Sequence, residues 1–328
     1  MTVLITGGAG YLGTHLARWL SDGGHSIAVL DDLTSPLYDP PRVRAPLITV
    51  DVRNFESVRN VLVEHAVTTV VHLAAESWPA VSVRNPLDCY SRNLCGTVSL
   101  LQAMKEATVG RLVFASSCAV YGNPDAVPVS ETCSVQPVSP YGWSKLFAEQ
   151  AIHDAVTADQ GLTAVVLRLF NVAGGDSGPT ATDGSPASAR VIPAALNSIL
   201  NHSDGFEIRG TDLPTPDGTC VRDFVHINDV CHAFEQSIRR LDDQGDNLSL
   251  ENPLIVNIGS GRATSVREID TAVESVVGRP MTVHETARTR GDAAAIVAQI
   301  TRAAEELEWA PRSSCLNEII RDALSSQE

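Results

Sequence analysis

The 328-residue sequence predicts an α/β fold, in which a doubly wound parallel β-sheet is followed by a smaller C-terminal α/β region. In the first half, short apolar runs rich in β-branched residues alternate with stretches of helical character. Because these runs are continuous and not interrupted by polar residues, helices should cover both faces of the sheet. After Asn171 the pattern changes to a segment rich in Gly, Ser, Pro and Thr and then to mixed elements, which indicates a second region.

The individual elements follow from this alternation. Six strands are predicted in the first half, at residues 2–7, 26–31, 47–52, 69–75, 111–117 and 164–172. The helices predicted between them include residues 11–22 and 93–107. The second half is predicted to contain a loop at 174–188, helices at 190–201, from Asn228, at 265–277 and at 301–309, and strands at 206–210 and 254–261. We place a domain boundary at residue 172, with domains at 1–172 and 173–328, and expect segments around 220–260 to pack back on the first domain.

The overall charge and the cysteines restrict the functional class. The chain carries 24 basic and 39 acidic residues, a net charge of −15, whereas nucleic acids and anionic membranes require a basic face. The seven cysteines are scattered and form no C-x-x-C pair, which suggests neither a zinc site nor a disulfide framework. No apolar run approaches the ~20 residues that span a bilayer, and the N-terminus lacks a signal-peptide pattern. We therefore expect a cytoplasmic protein that binds no metal, nucleic acid or membrane.

The segment GGAGYLG, residues 7–13, follows the first predicted strand and begins the first predicted helix. Its glycines, Gly7, Gly8, Gly10 and Gly13, match G-x-G-x-x-G and G-x-x-G-x-x-G, which allow a tight turn and a close approach of the backbone to a diphosphate. Asp31 ends the second strand 18 residues after Gly13, where a carboxylate can bind a ribose diol. Since LDDLTSPL offers no Arg or Lys for a 2′-phosphate, the sequence predicts a Rossmann domain that binds NAD and not NADP.

The third predicted strand ends at Asp51 and Val52. These residues either face the adenine of the cofactor or are ordinary strand-end residues, and the sequence does not separate the two interpretations.

The segment SPYGWSKLFAE, residues 139–149, places a phenol and an ammonium group one helical turn apart. Ser139 can cap a helix that begins at Pro140, and residues four apart share a helix face, so Tyr141 and Lys145 can point at one site. A phenol has a pKa near ~10, and lowering it by ~3 units requires about 4 kcal/mol, which a lysine and a positively charged nicotinamide could supply. Tyr141 is then a candidate general base, and Ser117, at the end of the preceding strand, can bind the same substrate hydroxyl.

Several motifs together carry a family resemblance. They are TGGAGYLG, HLAA, N-x-x-GT from Asn93, SS-x-x-VYG, SPYG-x-SK, R-x-FN from Arg168, the block PTPDGTCVRDFVHINDV at 214–230, and RGD at 290–292. With these motifs the chain resembles the extended short-chain dehydrogenase/reductases, and within them the nucleotide-sugar 4-epimerases of the UDP-glucose 4-epimerase type. The resemblance covers nearly the whole chain, and the 214–230 block is its most specific element.

The resemblance implies an isomerase with permanently bound NAD that epimerises a UDP-hexose through a transient 4-keto sugar, with Tyr141 as base and Lys145 and Ser117 as its catalytic partners. It implies that the first domain binds NAD and the second binds the nucleotide sugar. The implied cofactor contacts are Gly7, Gly10, Tyr11, Leu12, Gly13, Asp31, Asp32, Asp51, Val52, Leu73, Ala74, Ala75, Asn93, Tyr141, Lys145 and Phe170. The implied substrate contacts are Ser77, Ser117, Asn171, Arg190, Val191, Ile208, Arg222 and Asp292.

Some of these roles have alternatives. An arginine fork suits a diphosphate, but Arg222 could instead form a structural ion pair with its neighbour Asp223. A dimer is also implied by the resemblance, whereas the apolar pattern of NLCGTVSLLQAM is compatible with either an interface helix or a core helix.

Related activities are less compatible with the sequence. Dehydratases of the superfamily carry an Asp-Glu pair directly after the strand-end hydroxyl, and the related decarboxylases use a glutamate at the second position. Here those positions hold Cys118 and Ala119. Cys118 has no evident partnering base that would make it a nucleophile. An oxidoreductase that releases NADH each turnover and a non-catalytic NAD-sensing protein remain alternatives, although a sensing protein should lack the Tyr141 and Lys145 pair.

Five departures from the family pattern bear on the substrate. They are Ser77 for a lysine near the cofactor phosphates, Arg190 for an asparagine near the sugar and diphosphate, Arg209 for an aromatic residue near the nucleobase, Thr289 for an arginine, and Ile296 at the position linked to N-acetylated sugars. One hypothesis is that Arg190 faces C6 of the sugar and favours an acidic hexose. The alternative substrates are therefore UDP-glucuronate and UDP-N-acetylglucosamine, and an extra diphosphate or surface contact is an equally good interpretation of Arg190.

Overall fold

The computed structural model describes residues 1–34, 42–158, 161–175, 190–200, 205–243, 252–288 and 293–325. Within these ranges the strands are β1 (Thr2–Thr6), β2 (Ser26–Asp31), β3 (Leu47–Thr49), β4 (Val67–His72), β5 (Arg111–Ser117), β6 (Thr163–Leu169), β7 (Asn171–Ala173), β8 (Phe206–Arg209), β9 (Val221–Arg222), β10 (Phe224–His226), β11 (Leu254–Ile258), β12 (Thr264–Ser265), β13 (Val283–Thr286) and β14 (Ala295–Ile296). The helices are α1 (Tyr11–Asp22), α2 (Phe55–Glu64), α3 (Pro79–Arg84), α4 (Pro86–Tyr90), α5 (Gly96–Glu106), α6 (Pro140–Ala158), α7 (Val191–Leu200), α8 (Ile227–Asp242), α9 (Val266–Val277), α10 (Thr301–Leu307) and α11 (Leu316–Ser325).

Seven parallel strands form the large sheet, in the order β11-β6-β5-β4-β1-β2-β3. The strand order reverses at β1, which pairs with β2 on one side and β4 on the other. A ligand crevice forms outside the carboxyl ends of the strands at such a reversal, so the segments after β1, β2 and β4 define the expected cofactor site. The arrangement confirms the predicted doubly wound sheet.

The side chains of the central strand explain why the sheet is buried on both faces. Val3 and Ile5 pack into one core with α1 and α8, whereas Leu4 packs into the other with α2, α5 and α6. Successive side chains of a strand point to opposite faces, and all three residues are fully buried. A continuous apolar strand is therefore the pattern that this layer requires.

The smaller lobe has a separate core. It is built from α7, α9, α11 and the parallel pair β8 and β13. Strand β11, however, is the edge strand of the large sheet beside β6, and α8 and Trp309 pack into the first core. We therefore propose a first lobe that is discontinuous in sequence, with residues around 224–258 returning to it from beyond the boundary at 172.

The differences from the sequence predictions concern element ends and very short strands. The strand predicted at 164–172 is divided into β6 and β7, and the one predicted at 47–52 ends at Thr49. Strands of two residues, such as β9 and β12, are too short to show a periodicity.

Two features are absent from the described ranges. None of the helices there is both long and apolar enough to span a membrane. Within the same ranges, no three His, Cys, Asp or Glu side chains are grouped so that they could hold a metal ion.

Candidate active site

The start of α6 is fixed by two serine hydroxyls. Ser139 Oγ accepts a hydrogen bond of 3.1 Å from Gly142 N, and Pro140 is the first helical residue, which confirms the cap expected from the sequence. Ser82 Oγ, fully buried in α3, accepts a second bond of 3.1 Å from Tyr141 N. The backbone of Tyr141 is therefore held from outside its own helix, by a residue that the sequence did not single out.

The phenol of Tyr141 lies beside the hydroxyl of Ser117, the last residue of β5. Burial raises the pKa of Tyr141 to about 12, although the neighbouring Ser117 hydroxyl acts in the opposite direction. Without a ligand the phenol is therefore protonated at neutral pH. A positive charge close to the oxygen is required before it can act as a base.

Lys145 is 4% exposed, and its ammonium group donates a 2.7 Å hydrogen bond to the carbonyl oxygen of Ala115. It also lies 4.9 Å from the ring centroid of Phe114, so β5 holds it on two sides. Burial lowers the pKa of Lys145 to about 8. The sequence prediction that Tyr141 and Lys145 share one helix face is consistent with this placement, but the ammonium group bonds to the main chain of β5.

Behind these residues lies a buried ion pair. Arg168 Nη2 and Nε lie 2.7 and 3.1 Å from the two carboxylate oxygens of Glu149, and both side chains are 5% exposed. The hydroxyl of Ser116 also donates to Glu149. Glu149 thereby connects α6, which carries Tyr141, to β6 through Arg168 and to β5, which carries Ser117, through Ser116.

The glycines of the segment 7–13 differ in how much space surrounds them. A Cβ on Gly13 would lie 2.4 Å from Gly7 O and Gly8 Cα, and a Cβ on Gly7, which has φ of +69°, would lie 2.6 Å from Ala74 N. A Cβ on Gly10 would meet only Gly7 O, at 3.4 Å. Packing within the protein therefore requires Gly7 and Gly13 but not Gly10, and the open space above Gly10, at the N-cap of α1, suits a diphosphate.

The carboxylate of Asp31 lies beside this segment. It accepts bonds of 2.9 Å from Ala9 N and 2.8 Å from Leu33 N, and burial raises its pKa. Asp31 therefore shapes the glycine turn as well as ending β2. Asp32 caps the next turn through Thr34 N at 3.0 Å.

Arg92 was not found by the sequence argument about NADP, which considered only residues close to Asp31. Its guanidinium lies 3.7 Å from Asp32 Oδ2 and 2.8 Å from Asp88 Oδ2, and it donates to Thr34 Oγ1 at 3.0 Å. Two carboxylates therefore balance this cation.

Asp51 and Val52 lie in the loop before α2, beyond the end of β3. Arg53 binds the Asp51 carboxylate with distances of 2.6 to 3.0 Å and lowers its pKa. Val52 is 7% exposed and packs against Gly96.

The loop after β4 contains Leu73, Ala74 and Ala75, of which Ala74 packs against the glycine turn. Asn93 fastens the next part of this loop, because its amide accepts from Glu76 N at 2.7 Å and donates to Glu76 O at 3.0 Å and to Ser144 Oγ at 2.8 Å. The predicted cofactor residue Asn93 therefore acts in this structure on the loop and α6. Ser77 is exposed.

In the second lobe the structure separates Arg222 from its neighbour. Asp223 accepts hydrogen bonds from Ser260 N and Oγ, Gly261 N and Ala298 N at 2.6 to 3.0 Å. Arg222 Nη1 instead donates to Val221 O and Ala293 O at 2.9 and 2.8 Å. The ion pair considered as an alternative for Arg222 is therefore not formed.

The other predicted substrate residues have different environments. Asn171 begins β7, and Phe170 before it is 4% exposed in a small core that also contains Ile296. Ile208 is fully buried in the core of the smaller lobe, which gives no support to a substrate contact, and its neighbour Arg209 is exposed and paired with Glu207. Asp292 and Thr289 lie outside the described residues.

Arg190 lies at the entry to α7, directly before Val191. Its guanidinium carbon is 4.1 Å from the ring centroid of Tyr11 and 5.3 Å from that of Trp78. Tyr11 and Leu12 are the first two residues of α1, so this cation extends from the smaller lobe to the glycine turn. Neither Trp78 nor this contact was indicated by a sequence motif.

Directly after Ser117 the chain offers no acid. Cys118 and Ala119 form a single 3₁₀ turn, and burial raises the pKa of the Cys118 thiol to about 12. The thiol is therefore protonated at neutral pH, so it is neither a nucleophile nor a proton donor of carboxylic-acid strength.

Comparison with known proteins identifies relatives over nearly the whole chain. Residues 3–259 match the NAD dependent epimerase/dehydratase family. The UDP-glucose 4-epimerase of Azospirillum brasilense is 37% identical over 323 residues, which cover 98% of this chain and 91% of the relative. The UDP-glucose 4-epimerase of Rhizobium leguminosarum bv. trifolii is 36% identical over 324 residues, which cover 98% of this chain and 96% of the relative. The crystal structure of a Stenotrophomonas maltophila UDP-glucose 4-epimerase with bound NAD and formylated UDP-arabinopyranose has a TM-score of 0.91 at 32% identity, covering 100% of this chain and 98% of that one.

Proposed function

Because the chain belongs to the NAD dependent epimerase/dehydratase family, we propose that it interconverts UDP-glucose and UDP-galactose, with NAD as cofactor. The observation that carries the proposal is the placement of the Tyr141 phenol beside the hydroxyl of Ser117, with Lys145 one helical turn after Tyr141 on α6. When bound, NAD accepts a hydride from C4 of the hexose and returns it.

The residues of the chain provide the proton chemistry. Tyr141 takes the proton of the sugar 4-hydroxyl as C4 becomes a ketone and returns it after the 4-keto sugar has presented its other face. Ser117 holds the same hydroxyl, because its own hydroxyl already lies beside the phenol. The raised pKa of Tyr141 means that this base depends on positive charge within a closed site, of which Lys145 supplies one part.

The remaining residues bind the two ligands. Gly10 leaves space for the cofactor diphosphate, and Asp31 lies where it can bind the ribose diol. Arg222, which has no ion pair with Asp223, is available to the diphosphate of UDP. The pair Cys118 and Ala119 provides no acid for loss of water, which supports epimerisation over dehydration.

Proton NMR tests the proposal. UDP-glucose is incubated with the purified protein without added cofactor, and the galactose anomeric signal is followed. We expect it to grow to a constant ratio without net NADH. UDP-glucuronate and UDP-N-acetylglucosamine are tested in parallel, and turnover of one of these alone would replace UDP-glucose as the substrate. No turnover of any of the three by protein that contains NAD would contradict the proposal.

We also propose a homodimer. Exposed apolar side chains cluster on α3, α4 and α6, where Val83 is 63%, Leu87 81%, Trp143 38% and Phe147 42% exposed. The rings of Trp143 and Phe147 lie 5.4 Å apart, so they form one surface. By contrast, Leu100 in the segment considered as an interface helix is fully buried in the core.

Light scattering after gel filtration tests this surface. The wild type should elute as a species of twice the 34.9 kDa chain mass, and Phe147→Glu should shift it toward the monomer. Val63→Glu, an exposed apolar position on α2, is the control. A monomeric wild type would contradict the dimer.

We propose a cytoplasmic location on the ground that all seven cysteines are free thiols.

A further inference from the structure

We propose that Arg190 binds the diphosphate of NAD, and that this contact from the smaller lobe retains the cofactor in its site. The inference rests on the proposed function only in requiring bound NAD, and it is independent of which sugar is the substrate.

The two rings that hold Arg190 belong to the segments that flank the cofactor site. Tyr11 directly follows Gly10 at the beginning of α1, and Trp78 ends the loop that follows β4. The phenol of Tyr11 donates a 2.5 Å hydrogen bond to Gly174 O, which fixes the ring on which the guanidinium lies. Stacking on two rings orients the plane of a guanidinium while leaving its edge N–H groups for a ligand.

The charge distribution indicates the ligand. The glycine segment 7–13 and the loop 73–78 contain no Lys or Arg, so neither brings a cation to a diphosphate. The N-terminus of α1 supplies only about half a positive charge. Within the described ranges, Arg190 places its guanidinium against one ring of each segment.

Arg190 also differs from the other arginines of the site in its partners. Among the described residues its guanidinium forms neither an ion pair nor a hydrogen bond, whereas that of Arg222 donates to two carbonyl oxygens and that of Arg92 contacts two carboxylates. Burial lowers the pKa of its guanidinium, which means that the charge is held at a cost in free energy. A diphosphate over Gly10 would offset that cost and use donors that the protein leaves unused.

The experiment measures NAD retained by the protein. Wild type, Arg190→Gln and Arg190→Lys are passed through gel filtration, and the NAD released by denaturation is determined per chain. Arg267→Gln is the control, because Arg267 lies in the same lobe in an exposed pair with Glu285. We expect wild type and the control to retain NAD, Arg190→Gln to lose it, and Arg190→Lys to retain an intermediate amount.

Titration of NAD into depleted protein gives the size of the effect. The dissociation constant should rise roughly 10- to 100-fold in Arg190→Gln, the range expected for a hydrogen bond to a charged group. Trp78→Leu removes one of the two rings and should also raise the dissociation constant of NAD. This variant provides a second test if circular dichroism shows that Arg190→Gln does not fold.

Unchanged NAD affinity in Arg190→Gln would overturn the inference. If UDP affinity fell or the preference between UDP-glucose and UDP-glucuronate changed while NAD affinity did not, Arg190 would belong to the substrate site, and the inference would be wrong while the proposed function stood. If the wild type fails to epimerise UDP-glucose but Arg190→Gln loses NAD, the proposed substrate fails and the inference stands.

Discussion

The ammonium nitrogen of Lys145 lies 2.7 Å from the carbonyl oxygen of Ala115, two residues before Ser117, whose hydroxyl lies beside the phenol of Tyr141. Strand β5 therefore carries both the hydroxyl of Ser117, which lies beside the phenol, and the carbonyl of Ala115, which binds the ammonium group of Lys145. The position of Tyr141 depends on the packing of α6 on β5.

Removal of the charge of Lys145 should change how stability depends on pH. The pKa of Lys145 is about 8 in the folded protein and its ordinary value is 10.5, so between these values the unfolded chain binds more protons. Stability therefore gains up to about 1.4 kcal/mol per pH unit from this group as the pH rises through that window. Urea unfolding at pH 8.5 and 9.5 should show a smaller rise for Lys145→Met than for wild type. Lys105→Met on α5 is the surface control, and equal slopes for wild type and Lys145→Met would refute this prediction.

Tyr141→Phe should remove the base and leave the site otherwise intact. We expect kcat for UDP-glucose to fall by about 10²- to 10⁴-fold, with NAD still bound, because the phenyl ring retains the packing but not the oxygen. Kinetics together with NAD content check this. Tyr90→Phe, whose ring packs on Phe147, is the matched control. A variant with more than a tenth of the wild-type kcat would exclude Tyr141 as the base.

Two glycines of one motif should respond differently to alanine. Gly10 has φ of −79°, which alanine adopts, and its Cβ would meet only Gly7 O, so Gly10→Ala should fold but bind NAD roughly 10-fold or more weakly. Gly13→Ala would force a Cβ to 2.4 Å from Gly7 O and should destabilise the fold by about 1–3 kcal/mol. Thermal unfolding and NAD titration distinguish the two. Normal NAD affinity in Gly10→Ala would show that the space above Gly10 is not the diphosphate site.

Breaking the ion pair behind the site should affect stability strongly. Glu149→Gln leaves Arg168 buried without its partner, which costs about 3–5 kcal/mol, whereas Glu106→Gln breaks an exposed pair with Arg59 and should cost about 1 kcal/mol or less. Urea unfolding measures both.

The double replacement Glu149→Leu with Arg168→Met removes both charges and should be less destabilising than Glu149→Gln alone. The interpretation fails if Glu149→Gln is no more destabilised than the surface variant.

The features that the sequence predicted correctly are local ones. The spacing of Tyr141 and Lys145, the cap at Ser139 and the glycine turn each lie within one turn of chain, where helix geometry and steric limits apply directly. The parallel direction of the large sheet was also predicted, because the apolar runs are continuous.

The features that were missed depend on contacts between distant segments. Ser82 binds Tyr141 N across 59 residues, and Arg190 contacts Tyr11 across the two lobes. No spacing or periodicity encodes such a contact, so only the folded chain reveals it. For Ile208 the resemblance implied a substrate contact, whereas its side chain lies in the core of the smaller lobe.

The most direct measurement of the central claim follows the hydrogen at C4 of the sugar. UDP-glucose deuterated at C4 is incubated with purified protein without added cofactor, and the UDP-galactose formed is examined by NMR and mass spectrometry. We predict that the deuterium is retained at C4 of the product and that none leaves in free NADH, since one site removes and returns the same hydride. Loss of the deuterium to solvent or to released NADH would contradict a self-contained epimerase.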